Sequence, residues 1–323
     1  MKKLSIVTLY IIVFVLIILG IFRIHNHTRY FQQECILMDS FFKIEAKSTT
    51  DISPILDEIF AHLKHLENIL DSHSDTGFVF KINHLPQNDT ISVPDELFEI
   101  IKFSLTGENL SSIKYSVFSG SLVELWGIGE KNIVPDSSEI ASVLSHCSSS
   151  GFLLIEDGKK LVRLDSSTDI DLGSIGKGYA VDYAYNRLLK ANIPYFLINA
   201  GGTIRGHSDS PFKIGIRHPR QPDSLWGIIN LPSDMAISTS GDYIRYFEKD
   251  GIRYHHIFDL ATGYPARPAV STSVIAETAT RADMLSTLIF VTGEPPDEEI
   301  LYNIIYKENG ELKSRGNIDY ERP

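Results

Sequence analysis

Asp283 and Thr287 stand four residues apart in Ala282-Asp283-Met284-Leu285-Ser286-Thr287, a spacing that puts both side chains on one helix face, one turn apart. A carboxylate and a hydroxyl so placed offer two hard oxygens of the kind Mg²⁺ prefers, although solvated helices carry such pairs as well. Upstream, Tyr254-His255-His256-Ile257-Phe258-Asp259 runs into Thr262-Gly263-Tyr264-Pro265. On strand alternation His256 shares a face with Tyr254 and Phe258, and His255 shares one with Asp259. Only one ring can therefore point at a given site, where it could act as an acid or base; the other reading is a histidine satisfied in the core. A third candidate is Asp169-Ile170-Asp171-Leu172-Gly173-Ser174-Ile175-Gly176-Lys177-Gly178. Glycines between a strand and a helix let a ligand approach the backbone, and a helix N-terminus favours phosphate. It is not a Walker loop, because Lys177 is followed by glycine. Asn199-Ala200-Gly201-Gly202 and Ser238-Thr239-Ser240-Gly241-Asp242-Tyr243 add glycines and hydroxyls; the first is as readily a tight turn after a buried strand.

These residues need elements to hold them. The apolar period Ile55, Ile59, Leu63, Leu66, Leu70 predicts a helix over Asp51–Leu70. Pro94–Leu110, Pro135–His146, a stretch beginning after Gly178 and Thr280–Val291 are predicted as further helices, the last ended by Gly293. A strand is expected over Cys35–Lys47 after a polar stem, and a loop over Asp71–Gly77. Phe152–Glu156 and Leu161–Leu164 flank the turn pair Asp157-Gly158. Ile170–Leu172 and Tyr195–Ile198 read as strands, and Ile244–Phe247 with Ile252–Phe258 as a second hairpin around Lys249-Asp250-Gly251. No repeat or long linker is present. A division into two subdomains would fall near Ser148–Gly151.

Composition narrows the class. The chain is 43% hydrophobic with a net charge of −11, which argues against nucleic acid and means that a phosphate ligand needs a local lysine or metal. Cys35 and Cys147 are the only cysteines: one disulfide is conceivable, a zinc site or disulfide framework is not. Leu4–Phe22 is an uncharged, mostly apolar run between Lys3 and Arg23, close to the ~20 residues that span a bilayer core as a helix. With no small-residue cleavage site after it and no cysteine just beyond, residues 1–27 read as a single-pass signal anchor. Residues 28–323 then lie outside the cytoplasm, with Lys2 and Lys3 inside; a cleaved signal is the alternative.

Taken together and in this order, the segments resemble the ApbE family of FAD:protein FMN transferases. That family's pattern runs Asp-Leu-Gly-Gly-Ile-x-Lys-Gly-Tyr-Ala, Asn-x-Gly-Gly, Ser-Thr-Ser-Gly-x-Tyr, His-Ile-x-Asp-Pro-x-Thr-Gly-x-Pro and Ala-Asp-x-x-x-Thr. Met38-Asp39-Ser40-Phe41-Phe42, Lys81-Ile82-Asn83 and Leu122-Val123-Glu124-Leu125-Trp126-Gly127 extend the likeness over nearly all of the chain beyond the anchor. The resemblance implies an α+β fold, T-fold-related, of mixed sheets and helices behind the transmembrane segment. It implies that Asp171 and Lys177 contact FAD, and that the Ser174 carbonyl, Asp283 and Thr287 hold Mg²⁺. His256 would be the catalytic base, at an ordinary histidine pKa. Met38, His73, Lys114, Tyr115, Ser116 and the backbone near Phe258 align with flavin or adenine contacts. FMN would pass to a threonine or serine of an exported or membrane flavoprotein acceptor, with AMP released; FAD hydrolysis, or flavin binding without catalysis, are the other activities such a site could have. The sequence departs from the family pattern at Ser116 and Thr203, where Asp is usual, at Leu260-Ala261 in place of Pro-Arg, and at Ser286, where an acidic metal ligand can stand.

Overall fold

A computed structural model describes residues 28–112, 114–297 and 299–321; the Leu4–Phe22 segment read as an anchor lies outside them. Among the described residues no helix is long and apolar enough to cross a membrane. The chain begins with the hairpin β1 (Arg29–Leu37) and β2 (Ser40–Ser48), followed by α1 (Ser53–Leu70), α2 (Phe78–Asn83), β3 (Thr90–Ser92), α3 (Asp95–Leu110), α4 (Gly120–Trp126) and α5 (Ser137–Leu144). β4 (Phe152–Ile155), β5 (Lys160–Arg163) and α6 (Gly176–Lys190) lead to β6 (Tyr195–Ala200), β7 (Thr203–His207), β8 (Phe212–Arg217), β9 (Leu225–Leu231) and β10 (Ala236–Gly241). The remainder is β11 (Tyr246–Lys249), β12 (Ile252–His255), β13 (Phe258–Asp259), β14 (Tyr264–Pro265), β15 (Ser271–Ala276), α7 (Ala279–Thr292), β16 (Leu301–Glu308) and β17 (Glu311–Gly316).

An antiparallel sheet in the order β1-β2-β6-β7-β10-β15-β16-β17 organises the molecule. Alternation assigns its two faces. Ala236, Val274 and Ala276 point into a large core with α1, α6 and α7, while Ile237 and Ile275 point the other way, onto Phe212, Ile214 and Ile216 of the β8–β9 hairpin. β15 is buried along its whole length because it is covered on both faces. The mixed α+β architecture agrees with the expectation from sequence.

Two contacts fix α7, which carries Asp283 and Thr287. Asp182 on α6 accepts the backbone N–H groups of Ala279 and Thr280, both at 2.8 Å, and the Thr280 hydroxyl. A carboxylate there satisfies orphan donors and complements the positive end of the helix. Nearby, α6 meets the start of α7 at Gly178, where any Cβ would lie 2.4 Å from the Ala279 carbonyl. Only glycine permits that approach.

The predicted helices are present, most of them within one or two residues of the expected bounds. Other expectations fail locally. Cys35–Lys47 is not one strand: Met38 and Asp39, with φ of 50° and 53°, form the two-residue turn between β1 and β2, and the polar stem is largely β1. Ile170–Leu172 is not a strand. It is extended chain held by Asn83, which exchanges two hydrogen bonds with Ile170, and by Arg163, which pairs with Asp169 at 2.6 Å. The strand expected over Ile252–Phe258 breaks after His255, and the first strand of its hairpin starts at Tyr246 rather than Ile244.

Candidate active site

A cavity of about 670 Å³ opens between the main sheet, the β8–β9 hairpin, the loop before α6 and the segment around His256. Its size is within the usual range for small-molecule sites. Asp283 lies at its floor, almost wholly buried. One carboxylate oxygen accepts hydrogen bonds from Ser238 Oγ at 2.9 Å and Thr203 Oγ1 at 3.2 Å. The other accepts the Gly178 N–H at 2.9 Å, with Lys177 Nζ 4.0 Å away. A buried charge requires this degree of pairing. Because Gly178, in the first turn of α6, gives its N–H to Asp283, that N–H is not turned back onto the Ser174 carbonyl. Thr287 is reached from β10 by Ser240 Oγ at 3.1 Å, which also meets Ser286 at 2.8 Å. Lys177 Nζ is tethered to the Gly173 carbonyl at 3.0 Å, and Asp171 accepts the Gly173 N–H at 3.0 Å. Ser174 Oγ bonds the buried Tyr115 hydroxyl at 2.9 Å, whose pKa is raised by that burial.

The donors gathered here fit Mg²⁺: a carboxylate, a hydroxyl and a nearby carbonyl, all hard oxygens. No cluster of three histidine, cysteine or acidic side chains suited to a metal occurs among the described residues, so most of the coordination sphere would be water and substrate oxygen.

The two histidines part company. His255 is buried, edge-on to Phe290. Its Nε2 bonds the Ala266 carbonyl at 2.8 Å and its Nδ1 accepts the Ile257 N–H at 3.3 Å. Both ring nitrogens are spent, and desolvation lowers its pKa to about 4. His256 lines the cavity. Its Nδ1 lies 3.2 Å from the Arg245 carbonyl; a carbonyl only accepts, so Nδ1 carries the proton and Nε2 keeps a free lone pair. Desolvation, aided by the neighbouring positive charges of Arg245 and Lys177, lowers the His256 pKa to about 3. That is a correction to the ordinary value expected from sequence: the ring is held neutral.

Of the other residues singled out in the sequence, His73, Tyr115, Ser116, Asp171, Ser174, Lys177, Phe258 and Thr287 line the cavity. Met38 and Lys114 do not. Met38 occupies the strained turn, its N–H on Glu67 at 2.7 Å, with Asp39, Ser40 and Phe41 at the cavity instead. The Lys114 carbonyl accepts the Leu260 N–H at 3.1 Å and so props the His256–Leu260 segment from outside. Cys35 and Cys147 are free thiols in separate clusters.

The departures from the family pattern acquire partners. Thr203 and Ser286 join the hydroxyl network just described, and Ser116 donates to Glu108 at 2.6 Å. Tyr243, the last residue of the Ser238–Tyr243 motif, also faces the cavity, as do Arg217 and Arg245, which no motif contains and sequence reading did not single out.

Comparison with known proteins agrees with this geometry. The ApbE family model matches residues 38–304. A Klebsiella pneumoniae protein named FAD:protein FMN transferase is 28% identical over 271 residues, 83% of this chain and 84% of its own. A Treponema pallidum protein of the same name is 27% identical over 76% of this chain and 74% of its own. Among solved structures, the ApbE protein of Thermotoga maritima superposes with a TM-score of 0.80 at 31% identity, covering 91% of this chain and 97% of that one. The flavin transferase ApbE from Vibrio cholerae gives 0.80 at 25% identity, over 90% and 97%. The chain belongs to the ApbE family.

Proposed function

We propose that this chain is an FAD:protein FMN transferase that uses Mg²⁺ and joins FMN through a phosphoester to a threonine or serine of an acceptor protein. One observation carries the reading: a pinned carboxylate, Asp283, and a neutral histidine with a free nitrogen, His256, face one cavity beside Lys177. FAD enters with its pyrophosphate towards Lys177 and the start of α6, where cationic charge and the helix end favour phosphate. Asp283, Thr287 and the Ser174 carbonyl would hold the metal, and positive charge there would offset the charge developing on the pyrophosphate. His256 Nε2 takes the proton of the acceptor hydroxyl. The hydroxyl oxygen forms a bond to the FMN phosphorus as the bond from that phosphorus to the bridging oxygen breaks, and AMP departs with that oxygen.

The polypeptide is anchored by Leu4–Phe22 with residues 28–323 outside the cytoplasm, so the acceptor is an exported or membrane flavoprotein. Full-length protein should remain in an alkali-washed membrane fraction and be degraded by protease added from outside. A free, N-terminally shortened protein would show that the segment is cleaved.

The activity is tested by incubating residues 28–323 with FAD, Mg²⁺ and candidate acceptors and resolving the products. Flavin fluorescence on an acceptor band with stoichiometric AMP is expected. AMP and free FMN without a labelled protein would make the enzyme an FAD pyrophosphatase, and FAD binding without turnover would make it a flavin-binding protein.

A further inference from the structure

An acceptor protein has to bring a hydroxyl to the cavity, and the strand edge of β8 borders that cavity. β8 contributes Ile214, Gly215, Ile216 and Arg217 to the lining, whereas its partner β9 contributes nothing. Among the described residues β8 has β9 as its sole ladder partner, in a two-stranded sheet. Backbone geometry settles which groups point outward. Ile228 on β9 gives its N–H to the Glu321 carbonyl and accepts the Glu321 N–H, both at 2.8 Å, so its hydrogen-bonding side is turned away from β8. Gly215 is the residue opposite Ile228. Theirs is therefore a non-hydrogen-bonded pair, and the N–H and C=O of Gly215 point off the other edge of β8. Two residues along, Lys213 has the same orientation. The side chains alternate accordingly: Phe212, Ile214 and Ile216 are buried, while Lys213, Gly215 and Arg217 are exposed. The ends of the main sheet, β1 and β17, supply no residue to the cavity.

We propose that the acceptor docks by strand addition: an extended segment of the acceptor protein pairs with the free edge of β8 at Lys213–Arg217 and thereby presents its threonine or serine to His256. Main-chain pairing of this kind supplies affinity, with alternate side chains left to supply specificity. The docking rests on the transferase reading above, and its test keeps the two apart.

The probe is a pool of short synthetic peptides, random except for one central threonine, incubated with the protein, FAD and Mg²⁺. Peptides that become flavinylated are then used with Gly215→Pro, Gly215→Ala and Lys213→Pro. Proline removes an edge N–H but no hairpin bond, since neither position bonds to β9. A Cβ at 215 meets only the flexible end of Leu225, at 2.9 Å, so Gly215→Ala controls for bulk. Both proline variants should raise the peptide KM by about tenfold, in line with loss of one edge hydrogen bond plus the ring's obstruction. The FAD affinity, melting temperature and AMP release by water of Lys213→Pro, which lies off the cavity lining, should match wild type, and Gly215→Ala should keep the wild-type peptide KM. In hydrogen exchange, peptide should slow the amides of Lys213 and Gly215. Unchanged peptide KM in both proline variants, or protection on β1 or β17 instead, overturns the docking and leaves the transferase reading intact. A pool in which FAD is bound and cleaved but no peptide is labelled also overturns the docking, and labelling of a whole acceptor protein then separates transferase from pyrophosphatase. Loss of FAD binding or cleavage by the wild-type protein would instead strike the function itself.

Discussion

The two walls of the cavity are built on different plans. On the floor, Asp283 is held from three elements at once: Gly178 of α6, Thr203 of β7 and Ser238 of β10. On the opposite wall His256 is tied by its ring to a single carbonyl, in a segment that has left the strand ladder. A group meant to fix a cation gains from being unable to move. One that must accept a proton and release it needs a spare nitrogen and a neutral resting state. The contrast between a clamped oxygen and a lightly tethered nitrogen is what the variants below test.

The largest effect is expected at the floor. Asp283→Ala removes the carboxylate at this floor and leaves Ser238, Thr203 and the Gly178 N–H short of an acceptor. Metal-dependent FAD cleavage should fall below detection, and Mg²⁺ binding by calorimetry should vanish while FAD still binds. Wild-type Mg²⁺ dependence in that variant would remove Asp283 from the metal assignment.

Next comes His256→Asn, in which the amide can still donate to the Arg245 carbonyl but has no basic nitrogen. FAD affinity should be nearly unchanged while transfer slows by ~10²–10⁴. The pH profile sharpens this. A base whose pKa is lowered to about 3 is already deprotonated near pH 6.5, so kcat/KM of the free enzyme should show no acid limb there. A limb that is centred near 6.5 and absent from His256→Asn would mean that the ring is solvated like an ordinary histidine.

Its neighbour should report through stability instead. His255 has its pKa lowered to about 4 from 6.5, so the unfolded chain binds a proton that the folded one refuses. Stability is then fully present above pH 6.5 and is lost as pH falls from there towards about 4, by at most roughly 3 kcal/mol. His255→Ser should flatten that slope. It should also lower the melting temperature at neutral pH, because it empties a buried site beside Phe290. Surviving protein should keep its turnover per folded molecule. An unaltered slope would place the titrating group elsewhere.

The same division explains what the sequence disclosed. Helical periodicity located α1, Pro94 and Gly293 marked the start of α3 and the end of α7, and spacing put Asp283 and Thr287 on one face. Alternation put His255 and His256 on different sides, and the structure also separates them, although the strand ends between them. What stayed illegible depends on distant partners. Nothing local to Met38 announces that it turns a hairpin at φ 50°. β8 and β9 carried no turn signal strong enough to be noticed, yet β8 lines the cavity. Ile170–Leu172 looks like a strand but is held by Asn83, 87 residues away from Ile170. Thr203 was visible only as a missing aspartate, because its role is defined by Asp283, 80 residues on.

Thr203 gives the smallest and most discriminating prediction. Its hydroxyl meets both Ser238 Oγ, at 2.9 Å, and the Asp283 carboxylate, so it holds that carboxylate and does not itself face the cavity. Thr203→Val keeps the shape and leaves no polar atom stranded, since Ser238 still donates to the same oxygen. The loss is one hydrogen bond to a charged group, of which Ser238 covers part, so Mg²⁺ affinity should drop by only about three- to tenfold. At saturating Mg²⁺ kcat should recover, and Thr203→Ser should be indistinguishable from wild type. Thr203→Asp separates a positioning role from mere packing. It sets a second carboxylate beside Asp283, and like charges that close repel unless a cation lies between them. The variant should therefore melt lower than wild type in chelator and gain more from added Mg²⁺ than wild type does. If Thr203→Val instead loses kcat that no Mg²⁺ concentration restores, the hydroxyl acts on the substrate, and the clamped floor reaches further into the chemistry than its burial indicates.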